Sequence, residues 1–345
     1  MHTRRKIGVV LFQLGGPDSL VSVEPFLYNL FCDPDIIDIP LGFILRKPLA
    51  KWIARRRAPK AAAHYAEIGG SSPLLDLTKL QARALEEALR LHVDADVVIA
   101  MRYWHPFTDE AIRELQQAQV EEIVLLPLYP QYSFATTGSS LNEWRRRYGG
   151  NSIPVRTIER FYEHPLYIET QVEKIRASLA HFDPARQPKS QGQERTHLLF
   201  SAHGLPQSFI ERGDPYQKEV EATVRLVMEQ GGWPNPHSLC YQSKVGPQKW
   251  LEPSLDDEIH RLAHEEVNQV LVIPIAFVSE HIETLHEINI ETREEAEKLG
   301  IGMFRMAPAV GASPKFIACL SDLVLTAVGL PSTSTTVVQK PPATP

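Results

Sequence analysis

Cysteine is scarce in this chain of 345 residues, and its spacing excludes two kinds of cross-link. Cys32, Cys240 and Cys319 are odd in number and far apart, and no two cysteines are separated by only two residues. Neither a disulfide framework nor a structural zinc site is therefore expected. The composition fits a reducing compartment, and we expect a cytoplasmic protein.

Long apolar runs and an excess of positive charge are also missing. No run of 18 apolar residues occurs, so no segment is predicted to span a membrane. The basic residues near the start precede too short an apolar stretch for a secretory signal. The net charge of −6 argues against a nucleic-acid-binding surface. The P-loop, GxGxxG, GxSxG and HExxH patterns are absent, which weakens the nucleotide-binding, hydrolase and metalloprotease interpretations.

What the sequence does contain is an alternation of apolar strands with amphipathic helices. We predict helices over 20–31 and 74–91, and strands over 6–14, 96–102, 122–129, 153–158, 196–202, 238–242, 270–278 and 301–306. Such an alternation is typical of an α/β fold in which helices cover both faces of a parallel sheet.

The two halves of the chain also repeat one pattern. A helix followed by a strand that ends in proline recurs 147 residues later, where Ile112, Leu115, Val120, Ile123 and Pro127 align with Ile259, Leu262, Val267, Val270 and Pro274. We predict two similar α/β halves, 1–150 and 151–311, facing each other across a cleft. A helix over 312–329 is expected to join the first half. Residues 330–345 are low in complexity and predicted to be disordered.

The stretch 267–290 organises the second half. A β-branched apolar run up to Val278 predicts a strand buried on both faces, and Ser279 is a candidate N-cap for a following helix. On that helix Glu280, Glu283 and Glu287 would share one face. A solvated face or a favourable interaction with the helix dipole explains such a row in most proteins. Its position beyond the carboxyl end of a strand favours a bound cation instead.

Other strand ends carry side chains suited to a reactive site. His203 follows a predicted strand directly, and an imidazole there can accept a proton or ligate a metal, although a lone histidine at a turn is more often structural. Hydroxyl and aromatic side chains follow further strands, which suggests a large flat ligand, although ordinary packing explains any one of them: Tyr103, Tyr132, Ser139, Tyr241, Ser243 and Trp250.

The segment 36–57 mixes bulky apolar residues with arginine and lysine. That mixture is typical of an amphipathic segment that lies on a membrane surface or lines an apolar cleft. A surface helix packed on the core explains it equally well.

Eight motifs, taken together, resemble the ferrochelatase family. They occur in the family's order over about residues 6–328, and any one of them alone would be a weak signal. They are QLGGP (13–17), ARRRAPKAAAHYAEIGGSSPL (54–74), RYWHP (102–106), LYPQYSFATTGSSLN (128–142), FSAHGLP (200–206), RGDPY (212–216), QSKVGPQKWLEP (242–253) and PIAFVSEHIETLHEINIE (274–291).

The resemblance implies two Rossmann-like domains around a porphyrin cleft, and a lyase that inserts Fe²⁺ into protoporphyrin IX with release of two protons. Ferrous iron is then a substrate, and no tightly bound cofactor is expected. Matched by motif, His203 and Glu283 would be catalytic and, with His281 and Glu287, would form the metal site. The other matched residues would bind the porphyrin: Leu14, Arg56, Arg57, Tyr103, Tyr132, Ser139, Tyr241, Ser243 and Trp250.

Several positions depart from patterns known in the family. Animal members hold a [2Fe-2S] cluster partly through a cysteine at the position of Phe134, and no cysteine follows Cys319 here, so no cluster is expected. Leu14 stands where relatives that use coproporphyrin place tyrosine, which favours protoporphyrin. The resemblance leaves open whether His203 is the proton acceptor or the first metal ligand. It also leaves open a cobalt chelatase, or a tetrapyrrole carrier without turnover. The segment 36–53 would contact the inner face of the cytoplasmic membrane.

Overall fold

Two four-stranded parallel sheets form the framework of the computed structural model, which describes residues 5–36, 42–149, 153–182, 196–244 and 248–331. The first sheet has the order β2-β1-β3-β4 and the second the order β6-β5-β7-β8. The strands are β1 Lys6–Gln13, β2 Asp94–Met101, β3 Glu122–Pro127, β4 Val155–Thr157, β5 His197–His203, β6 His237–Gln242, β7 Gln269–Pro274 and β8 Met303–Met306.

Eleven α-helices and two π-helices are assigned in the described ranges. The α-helices are α1 Val23–Phe31, α2 Gly42–Glu67, α3 Leu74–Arg90, α4 Thr108–Ala118, α5 Ser139–Tyr148, α6 Pro165–Leu179, α7 Gln207–Glu211, α8 Tyr216–Gly231, α9 Leu255–His264, α10 Arg293–Lys298 and α11 Pro314–Ala327. The first π-helix is Phe134–Gly138 and the second is Glu283–Thr292.

The predicted repeat is confirmed in three dimensions. β3 and β7 start 147 residues apart, as do α4 and α9, and both sheets have the same strand order relative to the chain. In each sheet the order reverses between the first and third strands, β1 and β3 or β5 and β7. Ligands of open parallel sheets bind beyond the carboxyl ends of the strands at such a switch point.

The central strands β1, β3, β5 and β7 are buried on both faces, which explains their continuous apolar runs. Alternate residues of β1 point in opposite directions: Ile7, Val9 and Leu11 join a core that also contains residues of the second sheet, while Val10 and Phe12 pack under α4 and α5. The outer face of the second sheet packs under α9 and the second π-helix. The two halves therefore share a central hydrophobic core, and each half has a further apolar cluster on the other face of its sheet.

Helix α11 packs against α3 of the first half and α6 of the second. Helices α1 and α2 form a smaller apolar cluster with residues at the ends of β1 and β2 and with the residue that precedes the second π-helix. Its members include Leu14, Tyr65, Tyr103 and Ile282. We call this the lip cluster. None of the helices in the described part of the chain is long and apolar enough to cross a membrane. Nearly all of the tail predicted over 330–345 lies outside the described residues.

Candidate active site

His203 is the last residue of β5, and the chain turns sharply after it. Gly204 donates its backbone N–H to the carbonyl oxygen of Gln242 at 2.8 Å, and the Ser201 hydroxyl donates to the Gln242 side-chain oxygen at 2.7 Å. A Cβ atom on Gly204 would lie 2.8 Å from the Gln242 carbonyl oxygen and 3.3 Å from the Trp250 ring. Only glycine fits this turn, and the turn presents the imidazole beyond the sheet.

The residues after β7 do not form the helix that the sequence predicts. Ser279 is not an N-cap: its buried hydroxyl donates to Gln81 of α3, and the helix begins only at Ile282. Glu280 therefore lies before the helix, where its carboxylate accepts the backbone N–H of Ala309 at 2.7 Å. The prediction that Glu280, Glu283 and Glu287 share one helical face is wrong. Three residues of loop, stabilised by contacts far away in sequence, replace the expected first turn.

The second π-helix brings Glu283 to His203. The Glu283 carboxylate lies 2.8 Å from the Nδ1 atom of His203 and 3.7 Å from the Nε2 atom of His281. Glu287, one turn further along the helix, accepts two hydrogen bonds from Ser243, at 2.7 Å from the backbone N–H and 2.5 Å from the hydroxyl. Ser243 adopts a left-handed backbone (φ +65°) just after β6. The four residues predicted as the metal site thus form one cluster.

Burial and neighbouring charges shift the pKa values of the groups in this cluster, in some cases in opposite directions. Burial alone would lower the pKa of His203, but the Glu283 carboxylate, and more weakly Glu287, raise it above its ordinary value. Burial likewise disfavours ionised Glu283, yet His203 and then His281 hold the pKa of that carboxyl well below its usual range. Burial and the nearby Glu283 charge raise the pKa of Glu287. The cluster therefore contains one strongly ionised carboxylate and one that accepts a proton more readily.

Open hydrogen-bonding capacity remains in the cluster. The Nδ1 atom of His281 is buried and has no hydrogen-bond partner among the described residues. The His203 side chain is 37% exposed, so its Nε2 atom is available to a ligand while Nδ1 contacts Glu283. Buried imidazole and carboxylate groups of this kind suit a borderline divalent cation or the transfer of protons.

The two predicted aromatic residues of the second half lie behind His203. Tyr241, at the end of β6, is buried and donates its backbone N–H to Pro253 at 2.9 Å. Trp250 is half-buried, packs on the turn at Gly204 and bridges to Pro206. Both residues pack beside the strand end and the turn that hold the His203 imidazole.

The predicted residues of the first half divide between the lip cluster and a buried polar network. Leu14, directly after β1, is half-buried within the lip cluster. Tyr103 is fully buried, and its hydroxyl donates to the Asp33 carboxylate at 2.6 Å. Ser139 donates to the same Asp33 oxygen at 2.5 Å and accepts from Arg102 at 2.7 Å. The structure thus holds Tyr103 and Ser139 inside the fold, without a surface that faces His203.

Arg102 completes that network by an ion pair with Asp33 at 2.9 Å. The sequence analysis assigned no site role to Arg102 or Asp33, although Arg102 ends a predicted strand and Asp33 follows a predicted helix. A buried carboxylate needs a partner, but sequence spacing gave no sign that residues 33, 102, 103 and 139 meet. We call these four residues the Asp33 network.

Tyr132 lies in the loop between β3 and the first π-helix, and this loop of the first half contacts the second half. Its backbone N–H donates to Glu219 of α8 at 2.7 Å, and the Arg160 guanidinium lies 5.1 Å from its ring centre. The neighbouring Ser133 and Phe134 donate to the buried carboxylate of Asp214 at 2.9 and 2.7 Å. The sequence analysis missed these two carboxylates, whose role is to fix the loop of the first half on the second.

Arg56 and Arg57 are exposed on α2. The Arg56 guanidinium lies 5.9 Å from the Trp52 ring centre, and that of Arg57 lies 5.7 Å from Phe31. They do not contact the His203 cluster. The link between α2 and that cluster is Tyr65, which is buried and whose pKa is raised by its burial and by the nearby Glu283 charge.

With this geometry in place, the comparisons with known proteins identify the family. The model of the ferrochelatase family matches residues 6–328. The chain belongs to the ferrochelatase family. It is 48% identical to the ferrochelatase of Geotalea daltonii over 327 residues, covering 94% of this chain and 98% of the relative. It is 49% identical to the ferrochelatase of Aquifex aeolicus over 323 residues, covering 92% and 98%.

Among solved structures, SirB from Bacillus subtilis with Fe³⁺ matches with a TM-score of 0.51. The two proteins are 10% identical, and the match covers 94% of this chain and 96% of SirB. At that identity the match concerns the fold alone, and it agrees with two similar α/β halves. Family membership confirms the resemblance that the eight sequence motifs indicate.

Proposed function

We propose that this ferrochelatase-family protein is a lyase that inserts Fe²⁺ into protoporphyrin IX, releasing two protons and forming protohaem. The observation that carries the proposal is the His203–Glu283 pair at the switch point of the second sheet, flanked by His281 and Glu287. A porphyrin whose two pyrrole N–H protons are replaced by Fe²⁺ keeps its net charge. The protein must therefore accept two protons and supply one divalent cation at the same place.

His203 is the proposed proton acceptor. Its Nδ1–H donates to Glu283, which leaves the Nε2 lone pair facing outward. Because Glu283 raises the pKa of His203, the imidazole is a stronger base than an isolated histidine, and a base with a pKa near the working pH is the most effective. Glu287, whose pKa is also raised, is suited to pass protons on to solvent.

Glu283 and His281 are the proposed first contacts of the ferrous ion. Imidazole with carboxylate suits Fe²⁺, and two or three protein ligands, rather than a closed set of four, allow a substrate metal to leave. If His203 instead contacts iron first, Glu287, the carboxylate whose pKa is raised, becomes the proton acceptor.

The porphyrin is proposed to lie between the lip cluster and the wall formed by Tyr241 and Trp250. Leu14, after β1, and Ile282, just before the second π-helix, offer apolar surface in the lip cluster. Arg56, Arg57 and Ser243 are proposed to lie near the propionates, with the two arginines as donors. Tyr132 and Ser139 support the loop on the first half. Tyr103 would contact the ring only if it left the Asp33 network. Leu14, in place of a hydroxyl-bearing residue, favours protoporphyrin over coproporphyrin.

An anaerobic assay tests this function. Purified protein is mixed with protoporphyrin IX and Fe²⁺, and loss of porphyrin fluorescence and gain of haem absorbance are followed beside His203→Ala. We expect haem from the wild type and almost none from the variant, which should still bind porphyrin. Porphyrin binding without turnover in the wild type would indicate a carrier, and insertion of Co²⁺ alone would indicate a cobalt chelatase. Turnover of coproporphyrin III but not protoporphyrin IX would contradict the Leu14 argument.

We also propose that the enzyme works without an iron–sulfur cluster. Phe134 begins the first π-helix at the position where animal relatives place a ligating cysteine, and Cys240 and Cys319 are buried thiols with raised pKa values, because burial disfavours their thiolates. Acid-labile sulfide in anaerobically purified protein would contradict this.

The amphipathic segment supports a peripheral contact with the inner face of the cytoplasmic membrane. Of the predicted segment 36–53, residues 37–41 lie outside the described residues. On α2, Ile44 and Trp52 expose 62% and 61% of their surface, next to Arg46, Lys47 and Lys51. Exposed apolar residues among cations suit an anionic lipid surface. We expect co-sedimentation with vesicles of phosphatidylserine and phosphatidylcholine, weakened in Ile44→Ser/Trp52→Ser. Leu80→Ser, at an exposed leucine of α3, is the control, and equal binding by all three proteins would refute the contact.

A further inference from the structure

The motif RGDPY (212–216) contains a buried carboxylate that joins the two halves. Asp214 lies between α7 and α8 and exposes only 4% of its surface. One of its oxygens accepts the backbone N–H of Tyr216, the first residue of α8, at 3.0 Å. The other oxygen accepts the Ser133 hydroxyl at 2.9 Å and the Phe134 backbone N–H at 2.7 Å. Asp214 therefore connects the start of a helix in the second half to a loop of the first half.

Four consecutive residues of that loop, 131–134, donate hydrogen bonds to the N-terminal part of α8 and to its cap. The Gln131 amide donates to the Thr223 hydroxyl at 3.0 Å, and the next residue donates its backbone N–H to Glu219 at 2.7 Å. The remaining two residues donate to Asp214. The 131–134 loop is thus held along its whole length rather than at one point.

Capping of α8 does not by itself explain an aspartate at this position. A cap uses one oxygen, and serine or asparagine caps a helix as well as aspartate does. Burying a carboxylate is costly, and among the described residues no arginine or lysine is paired with Asp214. The positive end of the α8 dipole and three hydrogen-bond donors compensate its charge instead. A carboxylate offers acceptors on two sides at once, and the second side faces the 131–134 loop.

The same segment also reaches the strand end that carries His203. Tyr216 is buried and belongs to the central core together with Tyr241. Burial, and then the neighbouring Tyr241 and Glu283, raise the pKa of Tyr216, whereas a hydrogen bond with the backbone of His203 opposes this rise. The residue that Asp214 caps therefore lies beside the backbone of the proposed proton acceptor.

We propose that Asp214 is a positioning residue for iron insertion, an inference that rests on the function proposed above. It holds the 131–134 loop, on the first-half side of the porphyrin cleft, at a fixed distance from the strand end that carries His203. Tyr132, which is predicted to bind the porphyrin, belongs to this loop. Rates of reaction between bound groups depend steeply on their placement, and a displacement of about 1 Å can cost about 100-fold. Asp214 acts through the loop and not by contact with a substrate.

Asp214→Ser separates capping from positioning, because serine still caps α8 but is too short to reach the loop. All proteins are assayed at a temperature at which circular dichroism shows them fully folded. We expect the KM for protoporphyrin IX, and the Kd from porphyrin fluorescence, to rise by about tenfold. The KM for Fe²⁺ should stay at the wild-type value, because the variant leaves the His203–Glu283 pair in place.

A double-mutant cycle with Ser133→Ala tests whether the two residues act together. Ser133 also accepts the Ala135 backbone N–H at 3.1 Å, so its hydroxyl stabilises the first π-helix as well. If both side chains act through their mutual contact, the double variant should bind porphyrin at most about twofold more weakly than Asp214→Ser. Effects that multiply would mean that α8 and the first π-helix act separately, and would overturn the proposal. If Asp214→Ser did not fold, unchanged porphyrin affinity in Ser133→Ala would overturn it.

Glu229→Gln is the control, because Glu229 is an exposed carboxylate of α8 that pairs with Arg225 at 3.0 Å, outside the loop contact. It should leave porphyrin affinity unchanged. If Asp214→Ser lowered the midpoint of urea unfolding but kept the wild-type KM for porphyrin, Asp214 would only cap α8. Because porphyrin binding is measured without iron, the variants test the loop even if the wild type forms no haem, a result that would contradict the proposed function alone.

Discussion

At the strand ends of the first sheet, three donors converge on one oxygen of Asp33, and its charge is balanced by Arg102 at 2.9 Å. At the matching ends of the second sheet, Glu283 and Glu287 lie near each other, and no arginine or lysine is paired with them among the described residues. Topology and strand order are the same in both halves. The carboxylate of the Asp33 network is therefore satisfied and neutralised internally, whereas the second-half cluster keeps an unpartnered buried His281 Nδ1 and carboxylates without a paired arginine or lysine among the described residues.

This difference shows that the fold determines where side chains are placed, whereas the identities of the residues determine whether the place is reactive. A parallel sheet places side chains at its switch point in either half, but a closed ion pair there contributes only structure. Acid–base chemistry requires groups whose pKa values are shifted by burial and by neighbouring charges, as those of His203, Glu283 and Glu287 are. Three changes test this comparison, starting with the largest expected effect.

Removing the negative charge of Glu283, in the second half, should abolish most of the activity. Glu283→Gln keeps the shape of the side chain but removes the group that raises the pKa of His203. We expect kcat/KM for Fe²⁺ insertion to fall by about 10²- to 10⁴-fold, the range for losing a positioned acid–base group, with porphyrin affinity little changed. Steady-state haem formation and porphyrin fluorescence titration measure the two quantities.

Glu280→Gln is the control for that change. Glu280 lies three residues earlier, and its carboxylate accepts a backbone N–H from Ala309, a bond that a glutamine oxygen can also accept. If the two variants lost activity equally, charge at the start of this segment, and not the pairing with His203, would be the cause.

Removing the negative charge of Asp33, in the first half, should instead lower the free energy of unfolding. In Asp33→Asn the buried Arg102 loses its partner, and an unpaired buried charge costs about 3–5 kcal/mol. Urea unfolding measures this loss. Asp35→Asn breaks an ion pair with Arg146 that is partly open to solvent, and such surface pairs are worth about 0–1 kcal/mol. Equal unfolding midpoints for Asp33→Asn and Asp35→Asn would contradict the assignment of the Asp33 network to structure.

The smallest effect is expected for Glu287→Gln, and it is an effect of pH. Glu287 helps to raise the pKa of His203, so wild-type His203 stays protonated to a pH above its ordinary pKa of about 6.5. The acid limb of the pH profile of kcat/KM reports this titration. Removing Glu287 lowers the pKa of His203, so the limb should move to lower pH. A limb that stays in place would mean that another group titrates.

Much of this architecture is predictable from the sequence because it depends on local patterns. β1, β3 and β7 are continuous apolar runs, and the 147-residue repeat sets α4 and β3 against α9 and β7 in the right register. His203 is predictable as a strand-end residue, since Gly204 and Pro206 prevent the strand from continuing. Family motifs then group it with Glu283, a pairing that spacing alone does not give.

The errors concern contacts between distant segments. Ser279 has the identity of an N-cap, but Gln81 of α3 captures its hydroxyl, and the helix starts three residues later. A π-helix cannot be told from an α-helix by the apolar pattern of so short a segment. For Tyr103 the motif predicts a porphyrin contact and does not reveal that its hydroxyl donates to Asp33, 70 residues away in the sequence; the porphyrin contact stays a prediction.

The backbone of the second π-helix makes the length of this segment as important as its composition. A π-helix is closed by i→i+5 hydrogen bonds, so each hydrogen-bonded ring contains one residue more than in an α-helix. Deleting one residue between Thr284 and Thr292 would permit an ordinary α-helical ladder and rotate everything downstream by roughly 100° relative to Glu283. A substitution in this segment therefore leaves the backbone path, and the directions of the other side chains, in place. A single insertion or deletion would change the directions in which Glu287, Glu291 and α10 point.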